Sequence, residues 1–257
     1  MIDITGKLYI STVADKAAEL ALEHGLGLEI AEFCTAFNMD TNFESWDTLV
    51  KRQMIGVDRF IFHAPFNELC PTAIDPMIVE VAKKRFNQAY RLMRGYGIDC
   101  MVVHSGLMPN LYTDGWFTDK SVVFWKEFLS DKPNGFRLCI ENVFEENPGV
   151  LLDIVRAVDD ARLRLCFDIG HASIFHKDIS ISGWAEQVAP YLGHVHLHNN
   201  QGSRDTHDPL GDGAVDVAGL LHLVIEMAPD ATFTIETINC KASVDWLKAE
   251  GFLGDGA

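Results

Sequence analysis

The sequence predicts an α/β protein: a single closed barrel of eight parallel strands alternating with helices, filling residues 1–257 as one domain. Three observations predict it. Short apolar runs recur at Arg59–His63, Cys100–His104, Phe136–Glu141, Leu163–Asp168, Gly193–His196 and Thr232–Glu236, with the unbroken hydrophobicity of strands buried on both faces. Each of the six ends in a residue able to hold a metal ion: His63, His104, Glu141, Asp168, His196 or Glu236. The ends of successive parallel strands meet only if the sheet places them on one rim, as a closed barrel does, so a metal site belongs at the C-terminal strand ends. Finally, 257 residues suit a fold that usually takes about 250.

The elements follow in order. Lys7–Thr12 reads as the first strand and Val13–His24 as a helix; Gly27–Phe33 is the second strand, whose Glu29 and Glu32 are assigned surface or structural roles. A polar loop and a helix near Trp46–Met54 lead to strand three, which Ala64 and Pro65 end just after His63. Asp75 and Pro76 are an N-cap and first-turn pair, and Ile78, Ala82, Phe86, Ala89 and Met93 give the next helix its apolar stripe before Gly95 and Gly97 stop it. After His104, residues 105–119 read as a long loop bearing Met108, Tyr112, Trp116 and Phe117, either a lid over the site or packing on the rim. Asn147 and Pro148 open a helix after strand five. His171 is placed in the loop beyond Asp168, Asp216 caps Val217–Met227, and a helix near Ser243–Glu250 closes the ring.

The residue two positions before each strand-end ligand should also point inward, one layer deeper. Those residues are Ile61, Val102, Cys139, Cys166, His194 and Thr234, mostly small and apolar as a packed barrel interior requires. His194 is the polar exception and reads as a hydrogen-bonded core histidine.

Composition narrows the function. The formal net charge is -16, from 21 Lys and Arg against 37 Asp and Glu, which disfavours nucleic acid as a partner, because DNA-binding proteins gain affinity by neutralising phosphates with cations. No apolar run approaches the roughly 20 residues needed to cross a bilayer. The N-terminus lacks the basic and apolar regions of a signal peptide, which points to the cytoplasm. Six scattered cysteines imply no disulfide framework. A small-molecule partner fits best, with room for a homo-oligomer.

The densest stretch runs from His194 to Asp216. His194, His196 and His198 alternate, so in an extended strand they share a face, and Asp205, Thr206 and His207 follow before the turn Pro209–Gly213. Alone, it fits a metal site and a histidine-rich surface loop about equally. The strand-end ligands elsewhere favour metal.

In seven ordered motifs the chain resembles the xylose isomerase-like TIM-barrel superfamily, which includes sugar isomerases, epimerases and endonuclease IV. They are F-H-A-P at 62–65, V-H-S-G at 103–106, I-E-N at 140–142, D-I-G-H at 168–171, H-L-H-N at 196–199, D-T-H-D-P-L-G-D-G at 205–213 and I-E-T at 235–237. The resemblance to the epimerase branch implies one divalent ion on Glu141, Asp168, His196 and Glu236, with the two glutamates as acid and base and His171 near the substrate. The resemblance to endonuclease IV, of AP endonuclease family 2, implies three zinc ions on His63, His104, Glu141, Asp168, His171, His196, Asp205, His207 and Glu236. Where such epimerases carry an arginine this chain offers Asp205 and His207, with Arg204 adjacent.

The expected cofactor is thus a divalent metal, zinc or manganese, with one to three ions. The expected activity is isomerisation or epimerisation of a sugar or sugar-phosphate, with His171, His198, Arg204 and Trp116 contacting substrate. Phosphodiester hydrolysis is the alternative, and a barrel binding metal or carbohydrate without catalysis is a third reading.

Overall fold

A computed structural model describes residues 2–254. Eight parallel strands close into a barrel in sequence order: β1 Leu8–Ser11, β2 Gly27–Ile30, β3 Phe60–His63, β4 Cys100–His104, β5 Arg137–Glu141, β6 Leu163–Asp168, β7 Leu192–Leu197 and β8 Thr232–Ile235. β1 pairs with both β2 and β8, so no edge is left open.

Around them lie α1 Ala17–His24, α2 Phe43–Gln53, α3 Pro76–Gly95, α4 Asp114–Leu129, α5 Gly149–Val158, α6 Ile169–Phe175, α7 Ile181–Val188, α8 Val217–Met227 and α9 Cys240–Ala249. Outward-facing strand residues such as Phe62, Val103, Leu138 and Phe167 pack against the helices in one continuous core. The best-marked helix start holds: Asp75 accepts a hydrogen bond from the Met77 N–H with Pro76 in the first turn, and Ala82, Phe86, Ala89 and Met93 are the buried stripe of α3. Asp216 caps α8 by accepting from Gly219 N–H. None of the described helices is long and apolar enough to cross a membrane.

Inside the barrel, Tyr9, Ile61, Val102, Cys139 and Cys166 form a separate small cluster, the deeper layer expected from the two-residue period. Above it, lateral register sets two pairs of ligands level, His104 with Glu141 and Asp168 with His196, while the stagger of the barrel sets His63 beside Val102 and Glu141 beside Cys166.

Two local expectations are corrected. α4 starts at Asp114, where the Thr113 hydroxyl caps it, so only residues 105–113 form the loop after β4. Trp116 and Phe117 are helical, and Phe117 is fully buried. α6 begins directly after Asp168, whose Oδ1 accepts from the His171 N–H at 2.7 Å, so His171 rides on a helix instead of a loop. In both places a side-chain oxygen caps a helix whose second residue is a glycine, Gly115 or Gly170, which reads as a turn in the sequence.

Candidate metal centre

Nine side chains predicted as ligands meet at the C-terminal rim in three adjoining groups. In the central group His196 Nδ1 lies 3.4 Å from Glu141 Oε1, 3.4 Å from Glu236 Oε2 and 3.7 Å from Asp168 Oδ2. Beside it, His63 Nε2 and His104 Nε2 stand 3.5 and 3.6 Å from the other oxygen of Glu141. On the far side, His171 Nε2 and His207 Nε2 each lie 3.2 Å from Asp205 Oδ2. Glu141 therefore offers one oxygen to each of two groups.

These residues fit divalent ions. Ligand atoms about 2.1 Å from a tetrahedral ion stand roughly 3.4 Å apart, close to the separations of His196 Nδ1 from the three carboxylate oxygens around it. Both Glu141 oxygens and His196 Nδ1 are buried with no hydrogen-bond partner, an arrangement that costs free energy unless something binds there.

The outward nitrogens explain why the inward ones point as they do. His63 Nδ1 donates to the Ala64 carbonyl at 2.9 Å, His171 Nδ1 to that of Asn142 at 3.0 Å, and His207 Nδ1 to that of Glu236 at 2.6 Å. A carbonyl only accepts, so each of these rings carries a proton on Nδ1. When the ring is neutral, its Nε2 lone pair faces the carboxylates, as a metal ligand requires. His207 meets this demand with a left-handed backbone (φ 47°), uncommon outside glycine and Asn.

The electrostatics fit the same picture. Burial pushes Glu141 up, but His104, His196 and His171 around it hold it well below the usual carboxylate range. Burial raises Glu236. Burial lowers His63, yet the Glu141 carboxylate 3.5 Å away lifts it to about 9, whereas for His104 burial dominates and takes it down to about 3. For Asp205 burial works upward and is overcome by the bonds from His171 and His207, leaving it far below the ordinary value.

Above the groups opens a cavity of about 730 Å³. His63, His104, Glu141, His171, Asp205, His207 and Glu236 form its floor and side, while Leu69, Leu107, Met108, Phe144, Phe175 and Ile238 supply apolar walls. Among the described residues, no Lys or Arg lines it.

Three of the four residues expected to contact substrate do not line this cavity. His171 does. His198 is fully buried behind Asp168 and bonds its two oxygens at 3.0 and 3.1 Å. Arg204 is exposed and outside the lining. Trp116 is held away by its Nε1–H, which donates to the Thr72 carbonyl at 2.9 Å. Conversely, Glu29, expected in a surface or structural role, is fully buried inside the barrel and bonded to His196. The two-residue period contained the signal, since Glu29 sits in β2 level with Ile61 of the inner layer.

The sequence model of the xylose isomerase-like TIM barrel matches residues 13–250. The chain belongs to this xylose isomerase-like family. One relative is the uncharacterized protein MJ1311 of Methanocaldococcus jannaschii, 26% identical over 231 residues, 79% of this chain and 78% of that one. Among solved structures, a D-tagatose 3-epimerase-like protein superposes with a TM-score of 0.76 at 24% identity, covering 95% of this chain and 96% of the other. A Thermus thermophilus protein, TTHB071, solved after soaking with ZnCl2, gives 0.75 at 24% identity, covering 95% and 98%. The xylose isomerase-like fold is thus shared with sugar epimerases.

Proposed function

We propose that this chain is a metal-dependent isomerase or epimerase of a small, unphosphorylated sugar. The observation that carries the reading is the placement of Glu141 and Glu236, from β5 and the end of β8, each 3.4 Å from the same nitrogen of His196 at the floor of an apolar-walled cavity. Glu141, Asp168, His196 and Glu236 would hold a divalent ion, which when bound stabilises negative charge developing on a substrate oxygen. The two glutamates approach from separate strands, so a carbon between them can lose a proton to one carboxylate and regain one from the other. Burial lifts Glu236 while imidazoles hold Glu141 down, a separation suited to unlike roles in proton transfer. His171 lines the same cavity and is anchored through Nδ1, so its position relative to substrate is fixed. The lack of lysine and arginine in the described lining disfavours a phosphate, and the epimerase-like structural neighbour supports a sugar. The apolar walls would keep bulk water from the exchanging proton.

The test is incubation of the zinc- or manganese-loaded protein with free ketohexoses in deuterated water. Deuterium entering a single carbon, and lost in Glu141→Gln and Glu236→Gln, supports the reading. No exchange with any sugar counts against it.

A second reading, phosphodiester hydrolysis, is favoured by one observation: His63, His104, Asp205 and His207 converge although a single-ion epimerase would not need them. Cleavage of an abasic-site duplex, steeply weakened by added salt, would support it.

A further inference from the structure

The metal groups rest on a polar plug that packing does not require. In the layer where Ile61, Val102, Cys139 and Cys166 fill the barrel with apolar volume, β2 contributes Glu29, β7 His194 and β8 Thr234, all fully buried. Glu29 Oε1 is 3.1 Å from His196 Nε2. Its other oxygen is 3.2 Å from His194 Nε2 and 2.5 Å from the Thr234 hydroxyl. His194 Nδ1 in turn meets the Thr232 hydroxyl at 2.7 Å.

One proton assignment gives the carboxylate a full donor set: Nε2–H of His196 and O–H of Thr234 donate to it, and Nε2–H of His194 is shared between it and the Thr234 hydroxyl oxygen, 2.8 Å away. A buried carboxylate is costly unless so satisfied, and an apolar trio of similar volume would serve the core at lower cost. What the carboxylate adds is directional. It holds the His196 proton on Nε2, leaving the Nδ1 lone pair aimed at Glu141, Asp168 and Glu236, and it makes that ring a stronger donor. The other three imidazoles with fixed outward nitrogens lean on neutral backbone carbonyls, whereas His196 leans on a charge.

We propose that Glu29 is the positioning residue of the metal centre, acting through His196 to set the affinity of the central group, with His194 and Thr234 holding Glu29 in place. The inference rests on the metal-binding part of the proposed function and is independent of the substrate.

The test compares zinc affinity of the metal-free full chain with that of Glu29→Gln, measured by competition with a chelator, with Val102→Ala as a packing lesion in the same layer. The expected result is zinc binding about 10–100-fold weaker at one class of site in Glu29→Gln, as for other carboxylates behind a ligating histidine, and unchanged in Val102→Ala. In the zinc-loaded wild type, imidazole proton–nitrogen NMR should show His196 with a strongly downfield Nε2–H, moved upfield in Glu29→Gln. Wild-type affinity in Glu29→Gln, or equal losses in both variants, overturns the proposal. If Glu29→Gln does not fold, the wild-type spectrum decides: a His196 proton on Nδ1 overturns the proposal and a downfield Nε2–H supports it. A wild type that binds no zinc at all overturns the metal reading beneath it as well.

Discussion

Zinc binding to the metal-free protein should release protons, and the structure names their sources. His63 and His207, in different groups, both have raised values: burial lowers each, and the carboxylates of Glu141 and Asp205 respectively bring each up to about 9. At about pH 7 both rings are therefore almost wholly protonated, roughly two units below their midpoints. A metal ion needs the neutral ring, so each of these two groups must expel at least one proton per ion bound. His104, taken down to about 3, is already neutral and contributes none, although it faces the same Glu141 oxygen as His63. Apparent affinity at the His63 group should then weaken at least about tenfold for each pH unit below about 9, near 1.4 kcal/mol per unit. The fall should be steeper at the His207 group, where His171, lowered by burial but lifted further by Asp168 and Asp205, also stands well above its ordinary value and must lose a proton. The sign for folding runs the other way. A histidine raised in the folded state stabilises fully below its unfolded value of about 6.5, and that contribution fades as pH climbs toward about 9, so the metal-free protein loses stability over this window. Calorimetric zinc titrations in two buffers of different ionisation enthalpy measure the protons directly. Heats independent of buffer, with affinity flat from about pH 6 to 8, would refute the assigned protonation and with it the ion-pair geometry.

Further outcomes follow from particular contacts. Glu141→Gln takes the negative charge away from two groups at once and Glu236→Gln from one, so elemental analysis should show the greater loss of bound metal in Glu141→Gln. A Cβ at Gly170 would collide with the His198 ring, which is fully buried, bonded to Asp168 and stacked 3.9 Å from His207. Gly170→Ala should therefore cost about 1–3 kcal/mol, read in a denaturant titration, and weaken metal binding through the displaced Asp168 and His207. Trp116→Phe loses one hydrogen bond outside the cavity and should cost about 0.5–1.5 kcal/mol while leaving KM for the active sugar unchanged.

Most of the rim was legible in the sequence because β-structure has a fixed period. Once each apolar run is assigned to a parallel strand, its last residue and the one two before it must face the interior, which locates His63 through Glu236 and the apolar layer beneath without further information. The period needs carrying further at β2, which ends in no imidazole or carboxylate: Glu29 reads as a surface or structural residue, although its level in the sheet is that of Ile61. Where a side chain departs from its strand, the sequence had less to offer. His198 has the spacing of a residue beyond the strand end, and nothing local says that it turns back beneath Asp168. Gly170 records that turn, since only a residue without a side chain admits the ring. Trp116 misled for a related reason. An aromatic after a strand can cover the mouth or pack on the rim, and the choice depends on a carbonyl at residue 72, far away in sequence.

The buried acids and the missing basic residues have a common explanation. Glu29, Glu141, Asp168 and Glu236 place four carboxyl groups out of water within one end of the barrel, with Asp205 at its edge. Such a set cannot stay ionised without nearby positive charge. In most proteins lysine or arginine would provide it, but none lines the cavity among the described residues. Among those residues the counter-charges in contact with these acids are imidazoles, whose positive charge is a removable proton. A permanent cation would compete with any ion for these carboxylates, whereas a proton can be expelled. The rim is therefore built to exchange one kind of cation for another, and replacing His63 or His207 by lysine should preserve the charge balance of the metal-free protein while abolishing metal binding at that group, a loss that elemental analysis of the purified variants would reveal.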